Sequence, residues 1–71
     1  MATKVEAHIT GTIFKIETEV GASVQPGDTL IIIESMKMEM PVEAPVAGRV
    51  AAVHVEKGQS VEEGDLLLLL E

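Results

Sequence analysis

One lysine in this 71-residue chain has a setting that no other lysine shares. Lys37 lies between two methionines, at the centre of the segment Glu34-Ser35-Met36-Lys37-Met38-Glu39-Met40. A lysine amine is a nucleophile that another enzyme can acylate, and the amide formed would hold a covalent cargo. At the tip of a tight turn, such a side chain projects from the core and fits into a second active site. Lys37 is therefore the candidate attachment site.

Other kinds of chemistry find little support in the sequence. The chain has no cysteine, which excludes a disulfide framework, a thiol nucleophile and a thiolate metal site. His8 and His54 show no metal-ligand spacing, and Ser23 and Ser60 have no histidine partner in register. The glycines lack the spacing of a phosphate-binding loop. We therefore expect no catalytic residue and no metal site, and interpret the chain as a carrier rather than an enzyme.

Composition limits the partners. Five basic residues against twelve acidic ones give a net charge of −7 and leave no basic patch for a nucleic acid. The longest apolar run, Leu66–Leu70, is far shorter than the roughly 20 residues of a membrane-spanning helix. The first residues lack the basic and then apolar pattern of a secretory signal. We expect no nucleic-acid partner, no membrane partner and a cytoplasmic location.

An internal repeat predicts the elements that position Lys37. Residues 5–34 align with residues 42–71 without a gap, and 12 of the 30 aligned pairs are identical. Each copy ends in an apolar run followed by a glutamate. We therefore predict a single domain over residues 1–71, in which halves at about 5–34 and 42–71 are joined by an attachment hairpin over 35–41.

In each half, turn residues separate segments that have the length of short strands. The segment Gln25-Pro26-Gly27-Asp28 has the residues of a type II turn, and the second copy keeps the glycine and the aspartate. The many valines and isoleucines favour strands over helices. Ile13 and Ile16 are three residues apart, as are Val50 and Val53, which predicts a β-bulge or a sharp twist in each half. These features predict an all-β sandwich or flattened barrel.

The core of this fold is predicted to be aliphatic. Hydrophobic residues make up 46% of the chain, but Phe14 is its one aromatic residue. The runs Leu30–Ile33 and Leu66–Leu70 have the continuous apolar pattern of strands that are covered on both faces.

The methionines near Lys37 are predicted to have different environments. If Lys37 points outward from a turn, at least one of Met36 and Met38 is exposed, where it would serve as a recognition surface. Met40 alternates to the side opposite Glu39, and we expect it to lie in the core.

These features resemble the biotinyl/lipoyl attachment domains, and specifically the biotin carboxyl carrier group. The resemblance extends from about Val5 to Glu71 and includes the half-repeats, the Pro-Gly-Asp turn, the Glu-x-Met-Lys-Met tip and the Glu-Ala-Pro-Val-Ala-Gly stretch that follows. It implies a barrel-sandwich hybrid: two four-stranded antiparallel sheets with quasi-two-fold symmetry. It also implies that Lys37 lies on an exposed β-turn and is amide-linked to biotin by a biotin protein ligase.

The resemblance implies a function as well. Carboxybiotin on Lys37 would move between a biotin carboxylase and a carboxyltransferase. Many biotin carriers have alanine at the position of Ser35, and this chain lacks the thumb insertion of some acetyl-CoA carboxylase carriers, as do the small free-standing biotin/lipoyl attachment proteins. A monomer is expected, since no apolar element remains for an interface. The ligase would recognise the flanking residues Glu34, Ser35, Met36, Met38 and Glu39.

Two alternatives remain open. Lipoyl domains share the fold but usually have an acidic residue directly before the lysine and alanine after it. Met36 and Met38 disfavour a lipoyl carrier or a dual acceptor without excluding either. The other alternative is an unmodified module that serves only in protein interaction. The start Met1-Ala2-Thr3, followed closely by the repeat, favours a free-standing protein.

Overall fold

The repeat and the β-branched composition produce eight strands in the computed structural model, which describes residues 2–71. In chain order they are β1 Thr3–Glu6, β2 Gly11–Ile16, β3 Ser23–Val24, β4 Thr29–Ser35, β5 Met38–Glu43, β6 Gly48–Val53, β7 Ser60–Val61 and β8 Leu66–Leu70. Residues 2–71 contain no helix with the length and hydrophobicity needed to cross a membrane.

The strands form two four-stranded sheets in which each pairing is antiparallel. One sheet has the order β1-β8-β6-β3 and the other the order β5-β4-β2-β7. Replacing each strand by its counterpart 37 residues away converts the first order into the second. The predicted fold class, two four-stranded antiparallel sheets with quasi-two-fold symmetry, is confirmed.

The two halves are interlocked through the backbone. The amide of Gly21 donates to the carbonyl of Val50 at 2.8 Å, and the amide of Gly58 donates to the carbonyl of Ile13 at 2.8 Å. Val50 and Ile13 each donate a return bond to the residue that follows the glycine. Neither half completes its backbone hydrogen bonds alone, so the sandwich depends on both copies.

The core between the sheets is aliphatic, as predicted, and most of its residues occupy positions related by the internal repeat. One buried residue, Val55, corresponds to Thr18, which is only half-buried. The other fourteen buried residues form seven pairs related by the repeat: Val5 and Val42, Ala7 and Ala44, Ile13 and Val50, Val24 and Val61, Leu30 and Leu67, Ile31 and Leu68, and Ile33 and Leu70.

The apolar runs in β4 and β8 are covered less completely than their sequences predict. Ile32 and its counterpart Leu69 are half-buried, whereas the residues on either side of each are buried. Side chains alternate across a strand, so Ile32 and Leu69 point away from the core. The prediction of cover on both faces is wrong, because the described part of the chain forms only these two sheets and adds no further layer over their outer faces.

The predicted bulges are present in both halves. The register of β2 against β4 shifts between Ile13 and Lys15, and the equivalent shift occurs in β6 against β8. The inserted residue is Phe14 in the first half and Ala51 in the second. Because the bulge occurs in both copies, it belongs to the shared architecture, whereas the side chain it presents differs.

The predicted turn before β4 is also confirmed. Gly27 has a φ of 91°, and the amide of Asp28 donates to the carbonyl of Gln25 at 3.0 Å. The Asp28 carboxylate adds a bond that the sequence pattern did not identify, since its Oδ2 accepts the Gln25 amide at 2.8 Å. Asp65 closes the corresponding turn in the second half in the same way.

Candidate attachment site

Lys37 lies at the tip of the hairpin formed by β4 and β5. Ser35 and Met38 are the last paired residues, so Met36 and Lys37 form the two-residue loop. Both loop residues have positive φ, 52° and 66°, as in a type I′ turn. Such turns favour asparagine and glycine, because other residues in the left-handed region cost about 1–2 kcal/mol each. The paired strands hold this strained backbone in place.

The side chains at the tip are open to solvent. Met36 is 92% exposed, Met38 is 62% exposed, and Lys37 is also exposed. Within residues 2–71 the one ion pair joins Lys15 to Glu17, so the Lys37 amine is not held by a carboxylate. The prediction that at least one flanking methionine is exposed is confirmed for both. An accessible amine in a fixed position is what an acylating enzyme requires of its substrate.

Met40 was predicted to lie in the core, and the structure shows that this is wrong. Its side chain is 37% exposed, although it pairs with the fully buried Ile33 and so faces the same side of the sheet. The reason is that β5 is an edge strand: β4 lies on one side, and residues 2–71 place no strand on the other. Met38 and Met40 therefore form an exposed thioether strip along this edge.

Glu34 and Glu39 lie directly opposite each other below the tip. Both residues are exposed, so water solvates their charges. Like charges opposite one another disfavour pairing of the two strands by a small amount. The hairpin therefore presents a single positive charge above an acidic pair.

Ser35 anchors the base of the hairpin to the rest of the sandwich. Its Oγ donates a hydrogen bond of 2.8 Å to the backbone carbonyl of Thr10, 25 residues earlier in the chain. The other side-chain hydrogen bonds found within residues 2–71 each lie inside a four-residue turn. Alanine, which many biotin carriers have here, has no hydroxyl to donate. The sequence did not predict this contact, because only the fold brings Thr10 beside Ser35.

A glycine allows a close approach of β2 to the hairpin. A Cβ on Gly11 would collide with the backbone carbonyl of Glu34 and with the side chain of Ile33. Gly48 has the same relation to Glu71 in the second half. Gly11 therefore contributes to the site by letting the neighbouring strand support its base.

The structure thus brings the predicted site residues together around one amine. The segment from Glu34 to Glu39 forms the last pairs and the loop of a single hairpin. The supporting residues Thr10 and Gly11 come from elsewhere in the first half. An exposed lysine at the end of an all-β sandwich fits a domain that carries a group better than one that encloses a substrate.

Comparisons with known proteins agree with a domain that carries a covalently attached group. Residues 1–70 match the biotin/lipoyl family model, which is described as "Biotin-requiring enzyme". The chain is 42% identical over 41 residues to the "Biotinylated protein TB7.3 homolog" of Mycolicibacterium smegmatis, and that alignment covers 58% of each chain.

Solved structures of carboxylases contain a similar fold. A single-chain, multi-domain long-chain acyl-CoA carboxylase matches 96% of this chain with 35% identity and a TM-score of 0.91. The urea carboxylase of Kluyveromyces lactis matches 100% of it with 38% identity and a TM-score of 0.95. The chain spans 7% and 6% of those two proteins, respectively.

The chain belongs to the biotin/lipoyl attachment family. The predicted resemblance is confirmed, and so is biotin as the cofactor that the family requires. The chain is a carrier domain and not itself a catalyst.

Proposed function

We propose that this chain is a biotin carboxyl carrier in which Lys37 holds biotin through an amide bond. The observation that carries the proposal is the exposed Lys37 on a strained two-residue tip between exposed Met36 and Met38. Residues 1–71 act as one attachment domain, with the hairpin over 35–41 between the two halves. The family description as biotin-requiring and the similarity to a protein described as biotinylated together support biotin as the cargo.

Attachment depends on a separate biotin protein ligase. A lysine amine that is not activated is a weak nucleophile, so its acylation requires help from an enzyme. The ligase supplies an activated biotinyl donor and accepts the proton from the amine. The Lys37 nitrogen then attacks the donor carbonyl, the C–N bond forms, and the bond to the leaving group breaks. The tip loses its positive charge and gains a long arm on a rigid base.

The function of the arm is to keep a carried carboxyl group within reach of two active sites. We propose a biotin carboxylase and a carboxyltransferase as these partners, because similar domains occur in the acyl-CoA and urea carboxylases. Biotin, when attached, accepts and donates the carboxyl group. The scaffold contributes effective concentration, since a tethered group meets each site without free diffusion. The carrier itself acts as a monomer.

Intact-mass measurement after co-expression with a biotin protein ligase tests the attachment. The wild-type chain is expected to gain the mass of one biotin less one water, and Lys37→Arg is expected to gain nothing. Lys15→Arg is the matched control and retains the modification. Lys37→Arg should change the free energy of unfolding by no more than about 0.5 kcal/mol, because the side chain is exposed.

Two results would contradict the proposal. One is an unmodified wild-type chain, and the other is a modification that persists in Lys37→Arg. A parallel co-expression with a lipoyl-attaching ligase distinguishes the cargo: a mass gain with that enzyme alone would make the chain a lipoyl carrier.

A further inference from the structure

An open groove of about 510 Å³ lies on the hairpin-bearing sheet, beside the base of the hairpin. Its lining includes Phe14, Lys15, Glu34 and Lys57. Thr12, also in the lining, pairs with Glu34, and the turn at Lys57 is bonded to β2 through Gly58. The groove therefore extends from the hairpin to the turn before β7. We call this surface the Phe14 groove.

Phe14 is an unexpected residue to find at a surface. It is the one aromatic side chain of the protein, yet it is 41% exposed and contributes nothing to the buried core. Phe14 follows the buried Ile13 in β2, so it points away from the core. Aromatic residues are enriched at protein interfaces, so an exposed phenylalanine on a sheet surface is a candidate contact residue.

The second half shows that folding does not require these side chains. The same backbone bulge occurs there, and the core residues beneath it correspond one to one. At the matching surface of the other sheet, Ala51 stands for Phe14, Ala52 for Lys15 and Val20 for Lys57, while Arg49 stands for Thr12. The same backbone therefore forms with either group of surface side chains. We interpret Phe14, Lys15 and Lys57 as residues with a role other than folding.

The charge of the groove differs from that of the whole chain. Two lysines and one glutamate line it, although the protein has a net charge of −7. A second groove of similar volume, about 530 Å³, is instead lined by Glu17, Glu19 and Asp28. Lys15 is paired with Glu17 at 3.2 Å, whereas Lys57 has no ion-pair partner within residues 2–71. A partner surface complementary to the groove would therefore place an apolar side chain against Phe14 and a carboxylate near Lys57.

The position of the groove favours a partner that grips Lys37 directly. Glu34 lies three residues from Lys37, and a fully extended chain would separate them by about 10 Å at most, at about 3.3 Å per residue. A stable protein interface covers about 800 Å² on each partner, a patch about 30 Å across. An enzyme that encloses the Lys37 amine and covers this sheet must therefore cover the groove. A partner that meets only the end of a long arm has no such requirement.

We propose that the Phe14 groove is the docking surface for the biotin protein ligase. The ligase places an apolar side chain against Phe14 and a carboxylate near Lys57. This inference rests on the proposed function of Lys37 and adds the surface by which the ligase recognises its substrate. The groove makes contacts before and during acylation alike, so it acts on binding rather than on the chemical step.

The test replaces groove residues with their counterparts from the second half. Phe14→Ala and Lys57→Val introduce side chains that the same backbone already carries elsewhere. With a purified ligase that modifies the wild type, ATP and biotin, each variant is expected to raise KM for the carrier about tenfold and to leave kcat within about twofold. Lys57→Val should also weaken the salt dependence of KM. Val20→Ala, at the position matching Lys57, is the control and should behave as wild type.

The outcomes separate this inference from the proposed function. Variants with a wild-type circular dichroism spectrum and a KM within twofold of wild type overturn the groove proposal alone. Normal biotinylation with impaired carboxyl transfer also overturns it, because the surface would then belong to a carboxylase partner. A wild-type chain that accepts no biotin overturns both proposals. If Phe14→Ala fails to fold, Lys57→Val decides the result by itself.

Discussion

The two halves of this protein share a fold but not a surface. Their strands, bulges and turns coincide after a shift of 37 residues, and seven pairs of buried residues occupy equivalent positions. At the surface, however, the first half presents an exposed aromatic residue and leads into a strained hairpin. The second half presents alanines at the corresponding bulge. Equivalent interiors with different exteriors indicate that the interior serves stability, and they fit the proposal that the exterior of the first half serves recognition.

The largest predicted effect concerns the shared interior. Ile31→Ala and Leu68→Ala remove matching side chains that are both fully buried, so each should lower the free energy of unfolding by about 2–5 kcal/mol. Urea unfolding at equilibrium measures both losses. The control is Ile32→Ala, whose half-buried side chain should cost clearly less. Losses at Ile31 and Leu68 that differ by more than about 2 kcal/mol would show that the two halves do not share the core equally.

An intermediate effect is expected at the matched glycines. Gly11→Ala and Gly48→Ala each introduce a Cβ that meets a backbone carbonyl, so each should destabilise by about 1–3 kcal/mol. Only Gly11 lies beside the base of the hairpin. At a temperature where both variants are folded, the initial rate of biotinylation should fall for Gly11→Ala and stay near wild type for Gly48→Ala. Equal rates of biotinylation in the two variants would contradict the view that only Gly11 supports the attachment hairpin.

The smallest effect is expected at Ser35. Ser35→Ala deletes the hydroxyl that donates to Thr10 and should cost about 0.5–1.5 kcal/mol. Because this bond ties the hairpin to the sandwich, hydrogen exchange should accelerate at the hairpin amides more than elsewhere. Ser35→Thr keeps a donor and should restore much of the protection. Unchanged exchange in Ser35→Ala would mean that strand pairing alone holds the tip.

Much of the site could be predicted from the sequence because its main residues are adjacent. Glu34 to Glu39 form one hairpin, so local turn chemistry and alternation were sufficient to place Lys37 at a tip. Met40 was misplaced because alternation assigns a face but does not tell whether the strand lies at an edge. Ile32 was misjudged for a similar reason, since an apolar run does not reveal that one face lacks cover.

The sequence by itself determined the duplication, the all-β class and the aliphatic core, and it singled out Lys37 as the proposed attachment residue. These properties follow from short-range patterns: turn residues, side-chain alternation and the repeat. Tertiary structure alone decided that Ser35 bonds to Thr10, that Gly11 must lack a side chain, and that Phe14 faces outward beside Lys57. These contacts join residues that are distant along the chain, and strand order and register determine which of them meet.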